Sequence, residues 1–150
     1  FPEIHFQTCR IEKIITETEA LYKEGLPNVN IQMAFKDNIP ALQLDPQHMK
    51  QAFINLFDNA ISAMNNNGTI TVDVSYDNIL KLVSIEVADN GKGISDTEKT
   101  KLFEPYFSTK KSGMGLGLAI VNSVIKDHNG SIRVQDNQPA GAKFIIELPA

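Results

Sequence analysis

The sequence predicts an α+β fold: a two-layer α/β sandwich with helices on one face of a mixed, mostly antiparallel sheet. Three observations carry that expectation. Apolar residues recur at helical spacing in three separate stretches, over residues 8–24, 46–64 and 115–129. Alternating segments, residues 69–76 with 80–88 and residues 131–134 with 143–148, come in pairs joined by turn residues. No repeat, low-complexity tract or linker interrupts the 150 residues, so helices and strands share one domain, residues 1–150.

Composition narrows the class before any motif is considered. A hydrophobic fraction of 42% and a charged fraction of 21% belong to an ordinary globular chain. The net charge of -4 provides no basic stripe, which argues against nucleic acid or an anionic membrane as partner. Cys9 stands alone, so neither an internal disulfide nor a multi-cysteine metal site can form, and a reducing compartment fits. No apolar run approaches the roughly 20 residues of a membrane span. The opening at Phe1-Pro2 reads as a cut from a longer protein.

In the first stretch Ile11, Ile14, Ile15, Leu21 and Tyr22 form one apolar face, and Gly25 with Pro27 stops the pattern. Residues 29–35 alternate as a half-buried strand, and residues 40–44 give a shorter extended piece. Asp45-Pro46 is a strong helix start, since Asp caps orphan N–H groups and Pro suits the first turn. The helix it opens buries Met49, Ala52, Phe53, Leu56, Phe57, Ala60, Ile61 and Met64. Its other side carries Gln51, Asn55, Asn59 and Ser62. Asn55 and Asn59, four apart, share a face, and two helix-averse amides there mean either a common site or a merely solvated surface. Asn65-Asn66-Asn67-Gly68 ends the helix.

Residues 82–88 deliver Asp89 to a strand end, followed by Asn90-Gly91-Lys92-Gly93-Ile94. Asn90-Gly91 alone would suit a hairpin turn. The next residues, however, are Ser95-Asp96-Thr97-Glu98, a helix-capping pattern and not a strand. Residues 99–112, irregular and polar around Leu102, Phe103, Tyr106 and Phe107, read as a mobile lid. Gly113-Met114-Gly115-Leu116-Gly117-Leu118 then opens the last helix, placing unpaired N–H groups where an anion can approach. An acid at a strand tip and a glycine-rich helix start suggest one pocket, with a base edge at one end and phosphates at the other.

Several chemistries are missing. The phosphate loop G-x-x-x-x-G-K-[ST] and the dinucleotide G-x-G-x-x-G are absent, as is the protein-kinase H-R-D loop. His5, His48 and His128 have no metal-ligand spacing, and no hydrolytic triad is evident.

Four ordered blocks remain: Asn55-Leu56-Phe57-Asp58-Asn59-Ala60, Asp89-Asn90-Gly91-Lys92-Gly93-Ile94, Phe103-Glu104-Pro105-Tyr106-Phe107-Ser108-Thr109-Lys110, and Gly113-Met114-Gly115-Leu116-Gly117-Leu118. Together they resemble the N, G1, F and G2 boxes of the sensor histidine kinase catalytic domain, within the gyrase, heat-shock-chaperone, histidine-kinase and mismatch-repair (GHKL) ATPase superfamily. The resemblance runs from about Ile11 onward. The wording of the third block resembles the nitrogen-regulation type.

That resemblance implies the GHKL two-layer fold with an ATP lid, and ATP with Mg2+ as ligands. Asp89 would accept the adenine amino group, beside a wall kept open by Gly91 and Gly93. Asn59 would be the Mg2+ ligand, since an amide oxygen is a hard donor and magnesium takes further oxygens from phosphates. Lys110, with Thr109, would meet the outer phosphates, and Asn55 and Lys110 would serve the transfer itself. Ile94, Phe103, Phe107, Gly113, Met114, Gly115, Leu116, Gly117 and Leu118 would complete the nucleotide contacts. Asn55 stands where the hydrolysing relatives have a glutamate; an amide cannot take a proton from water, which favours transfer to a histidine.

The acceptor histidine would lie on a separate dimerisation domain of the parent protein, with residues 1–10 the end of a linker and a response regulator as the next partner. A cytoplasmic, monomeric domain without membrane contact is implied, in a membrane-anchored parent. Gly141-Ala142 departs from the usual Gly-Thr, removing a hydroxyl near the adenine. A stand-alone anti-sigma-factor-type serine kinase, or a nucleotide-binding module without catalysis, would share most of these features.

Overall fold

A computed structural model describes residues 3–105 and 117–150. Near the amino terminus the helical spacing is realised one turn late. Residues Gln7–Cys9 form strand β1, and helix α1 runs over Ile11–Ala20, not residues 8–24. The buried positions that drive α1 are Ile11, Ile14, Ile15 and Thr18, and nothing ahead of Ile11 continues that stripe. The preceding residues pair instead with β3 (Leu42–Leu44), antiparallel, with Gln7 opposite Leu44 and Cys9 opposite Leu42.

The main sheet has five strands: β2 (Val29–Phe35), β4 (Gly68–Asp77), β5 (Leu82–Asp89), β6 (Ser131–Asp136) and β7 (Ala142–Pro149), in the order β2-β4-β5-β7-β6. Among the described strands of this sheet only β2 and β4 pair in parallel, because the chain between them crosses over through helix α2 (Pro46–Ala63). The other neighbours are antiparallel. Ile70, Val72 and Val74 of β4, Val83, Ile85 and Val87 of β5, and Phe144, Ile146 and Leu148 of β7 point to one face. There they meet Phe53, Leu56 and Phe57 of α2 and Val121, Val124 and Ile125 of helix α4 (Gly117–Asp127). The opposite face is polar, with cross-strand pairs Lys143–Glu86 at 3.4 Å and Arg133–Glu147 at 2.8 Å. This is the mixed two-layer sandwich that the alternation and helical spacing imply. Ser95 and Glu98 form a capping box on the single turn α3 (Asp96–Lys99).

Asp45 joins three parts of the chain. Its Oδ1 accepts the N–H groups of Gln47 and His48 at 3.1 Å, capping α2, while Oδ2 accepts His5 N–H at 2.8 Å. Its own N–H donates to His128 Nε2 at 3.0 Å, which leaves Nδ1 as donor to the Val124 carbonyl. Burial would raise the Asp45 carboxyl, but the N–H groups of His5 and His48, the His48 charge and Gln47 N–H outweigh it and hold it low. Replacing Asp45 with Ala removes the cap and should cost about 2 kcal/mol at neutral pH. A carboxyl held below its ordinary value stabilises the fold above that value and ceases to do so as pH falls through the lowered one. The cost of Asp45→Ala in urea titrations should therefore shrink on acidification; a constant cost would contradict the assignment.

Candidate functional site

One stripe of α2 organises the site. Asn55 accepts a hydrogen bond from Gln51 Nε2 at 3.0 Å and donates through Nδ2 to the Gly117 carbonyl at 3.2 Å, at the first turn of α4. Two turns on, the Ala63 carbonyl accepts Lys92 N–H at 3.1 Å, fastening the loop that leaves Asp89. Gly91 lies so close that an added Cβ would sit 2.5 Å from that carbonyl oxygen. Asn55 and Ala63 are about 12 Å apart along the helix. Asn59 lies between them on the same stripe, half-buried. Asn55 is thus tied to the start of α4 and is not a merely solvated amide.

Asp89 closes the far end. It is the last residue of β5, only 3% exposed, and its Oδ1 accepts Gly91 N–H at 2.8 Å and Ala142 N–H at 3.4 Å. Among the described residues Oδ2 accepts no hydrogen bond, so it is left for a donor from a ligand. Burial raises the carboxyl above its ordinary value, and the two N–H groups offset this only in part. Gly141 packs on the Asp89 main chain with φ +99°, so that a Cβ there would overlap the Asp89 carbonyl and lie 2.8 Å from Oδ1. Ala142, where the resemblance anticipates threonine, is buried and contributes through its N–H.

Gly93, with φ +76°, faces the Gly141 carbonyl. Ile94, Phe103 and Leu118 are half-buried against the core, and Phe103 meets Phe144 edge to face with ring centres 6.3 Å apart. The first part of the expected lid is thus fastened: Leu102 is buried, and Lys99 pairs with Asp136 at 2.8 Å. Phe107, Thr109, Lys110, Gly113, Met114, Gly115 and Leu116 lie outside the described residues. Gly93 and Gly141 also line a cavity of about 570 Å³ with Lys92, Asn137 and Pro139, but Asn55, Asn59 and Asp89 do not line it.

The donor set suits a nucleotide with a magnesium ion. Close backbone packing at Gly91 and Gly141 fixes a buried carboxylate, Asp89, that presents one oxygen without a partner among the described residues. Among the described residues no three His, Cys, Asp or Glu side chains converge on a metal position. An ion held by the Asn59 amide would take its remaining oxygens from phosphates and water, as magnesium does. Sequence reasoning missed Asn137, whose Nδ2 donates to the Asp89 carbonyl at 2.8 Å, and Tyr22, whose hydroxyl reaches Asp58 at 2.7 Å. Neither carries a local signal, because each acts across a long stretch of chain.

Residues 44–150 match the family described as histidine kinase-, DNA gyrase B- and HSP90-like ATPase. The sensor histidine kinase ZraS of Salmonella typhimurium is 38% identical over 145 residues, 95% of this chain and 31% of that protein. Sporulation kinase E of Bacillus subtilis is 33% identical over 151 residues, 97% of this chain and 20% of that protein. The chain therefore spans a third or less of the length of these relatives. Among solved structures, the catalytic domain of histidine kinase ThkA superposes with a TM-score of 0.86 at 33% identity, covering 97% of this chain and 96% of that one. ThkA in complex with response regulator protein TrrA superposes with a TM-score of 0.82 at 30% identity, covering 96% of this chain and 41% of that one. No helix among the described residues is long and apolar enough to cross a membrane. The chain belongs to the histidine kinase-, DNA gyrase B- and HSP90-like ATPase family, in its histidine kinase branch.

Proposed function

We propose that this domain binds ATP with Mg2+ between α2, the loop after β5 and the start of α4, and transfers the γ-phosphate to a histidine on a separate dimerisation domain. The observation that carries the reading is the convergence on one helix stripe: Asn55 joined to Gly117, Ala63 joined to Lys92, and Asp89 buttressed by Gly91, Gly141 and Ala142. Asp89 Oδ2 accepts the adenine amino group, and the Asn59 amide oxygen ligates the ion. When bound, magnesium neutralises phosphate charge. Lys110 and Thr109 are assigned to the outer phosphates, with Gly113, Met114, Gly115 and Leu116, by their place in the sequence blocks alone. Phe107 is assigned the same way.

Asn55 supports transfer over hydrolysis, since an amide cannot deprotonate a water. The histidine itself supplies the nucleophilic nitrogen, so orientation suffices. Residues 1–10 are read as the end of the linker from the acceptor domain, with Gln7–Cys9 tied to β3. A response regulator as the next partner is supported by the ThkA–TrrA neighbour. The same proposal places a monomeric domain in the cytoplasm of a membrane-anchored parent, and the wording of residues 103–110 supports the nitrogen-regulation type.

Asn55→Asp tests the assignment. The carboxylate loses the donor to Gly117 and faces phosphates, so transfer should fall about 100-fold, the scale of losing one oriented polar group. Binding should fall much less. Radiolabelled ATP with a separate acceptor-helix domain reads transfer, and calorimetry with a non-hydrolysable analogue reads binding. Equal losses in both would remove Asn55 from the phosphates. Labelled serine would point to the anti-sigma-type kinase, and bound nucleotide without label to a binding module.

A further inference from the structure

Tyr22 stands outside the four sequence blocks, yet its ring and its hydroxyl both contact the part of α2 that bears the two amides. It lies two residues beyond α1, with its N–H bonded to the Glu19 carbonyl at 2.9 Å. Its ring meets Phe57 edge to face, with centres 5.6 Å apart and planes at 79°. Its hydroxyl lies 2.7 Å from Asp58 Oδ1 and 3.2 Å from the Ile54 carbonyl. One O–H proton serves two acceptors, and the shorter contact is the one to the carboxylate.

Asp58 is exposed, immediately precedes Asn59 and lies three residues after Asn55. On a helix that spacing puts it at the margin between the amide stripe and α1. An untethered carboxylate at that margin has two effects on the proposed site. It repels the phosphates, and as a hard oxygen donor it draws in magnesium without nucleotide. We propose that Tyr22 is a positioning residue for the nucleotide site, holding the Asp58 carboxylate on the α1 side of α2 and away from the magnesium and phosphates at Asn59. Burial and the Asp58 contact both raise the phenol, so the hydroxyl stays a donor at working pH. The inference rests on the nucleotide reading above.

Tyr22→Phe removes the tether and keeps the ring on Phe57. Calorimetric titration with a non-hydrolysable ATP analogue, at low and at saturating magnesium, should show about 5- to 10-fold weaker binding in Tyr22→Phe, the scale of one ordinary hydrogen bond. Asp58→Asn alone should bind normally, and Tyr22→Phe/Asp58→Asn should regain most of the loss, because the untethered charge is then gone. If Asp58→Asn is as impaired as Tyr22→Phe, or the double variant is no better than Tyr22→Phe, the hydroxyl only fastens α1 to α2 and the inference is overturned. Wild-type protein that binds no nucleotide would instead refute the proposed function. Matching melting curves for the single and double variants separate a folding defect from either outcome.

Discussion

Asp89→Asn should lose nucleotide affinity by more than about 100-fold while making the fold more stable. The two effects share one cause. Asp89 is 3% exposed, and burial raises its carboxyl, so at neutral pH the ionised group carries a desolvation cost that two N–H groups relieve only in part. An amide keeps an oxygen for Gly91 and Ala142 and carries no charge. Its second polar atom, however, is an NH2, which opposes the adenine amino group instead of accepting from it; a buried donor left facing a donor is the kind of mismatch that separates substrates by several orders of magnitude.

Relief of that desolvation cost is expected to stabilise by about 0.5–2 kcal/mol, the range of single stabilising substitutions. At ~2–4 °C per kcal/mol for a domain of this size, the melting temperature should rise by a few degrees. The sign comes from linkage. A carboxyl raised in the folded state binds its proton more tightly there, so stability falls as pH climbs from the ordinary carboxylate range through the raised value. The advantage of Asn should therefore be full at neutral pH and disappear in acid, where Asp89 is protonated in folded and unfolded chains alike. Unchanged affinity in a calorimetric titration would remove Asp89 from the adenine edge, and an advantage independent of pH would remove the desolvation argument.

Gly141→Ala should act on the same site with the opposite effect on stability. With φ at +99° the position disfavours any Cβ, and the Cβ would overlap the Asp89 carbonyl and press on Oδ1. Backbone strain and overpacking together should cost about 3 kcal/mol, lowering the melting temperature by ~6–12 °C. Since the clash falls on Asp89 itself, nucleotide affinity should fall with it. Paired measurements on the two variants are more informative than either alone: binding should drop in both, while stability moves up in one and down in the other. A Gly141→Ala protein with normal melting and normal binding would mean that the β6–β7 loop is free to yield.

Legibility in the sequence varies from element to element for physical reasons. The start of α2 is readable because Asp45-Pro46 acts on the next three residues, and the end because Asn65 and Asn66 take positive φ, at 53° and 61°. The β4–β5 pair is readable because alternation and a short turn set its register. Spacing alone starts α1 a turn too early because β1 owes its existence to β3, more than thirty residues away. The parallel pairing of β2 with β4 has no local signature either.

The residue kinds that face the site are determined by the amino-acid sequence alone, since helix spacing, strand ends and glycine groups are consequences of neighbours along the chain. Asp89, Gly91 and Gly93 can be named in that way, and Asn55 and Asn59 as two amides sharing one helix face. That Asn55 meets Gly117, that Gly141 and Ala142 hold Asp89, and that Tyr22 restrains Asp58 were decided by the tertiary structure. Those contacts join segments 36 to 62 residues apart, and no periodicity of the chain encodes which side chains the folded core brings face to face.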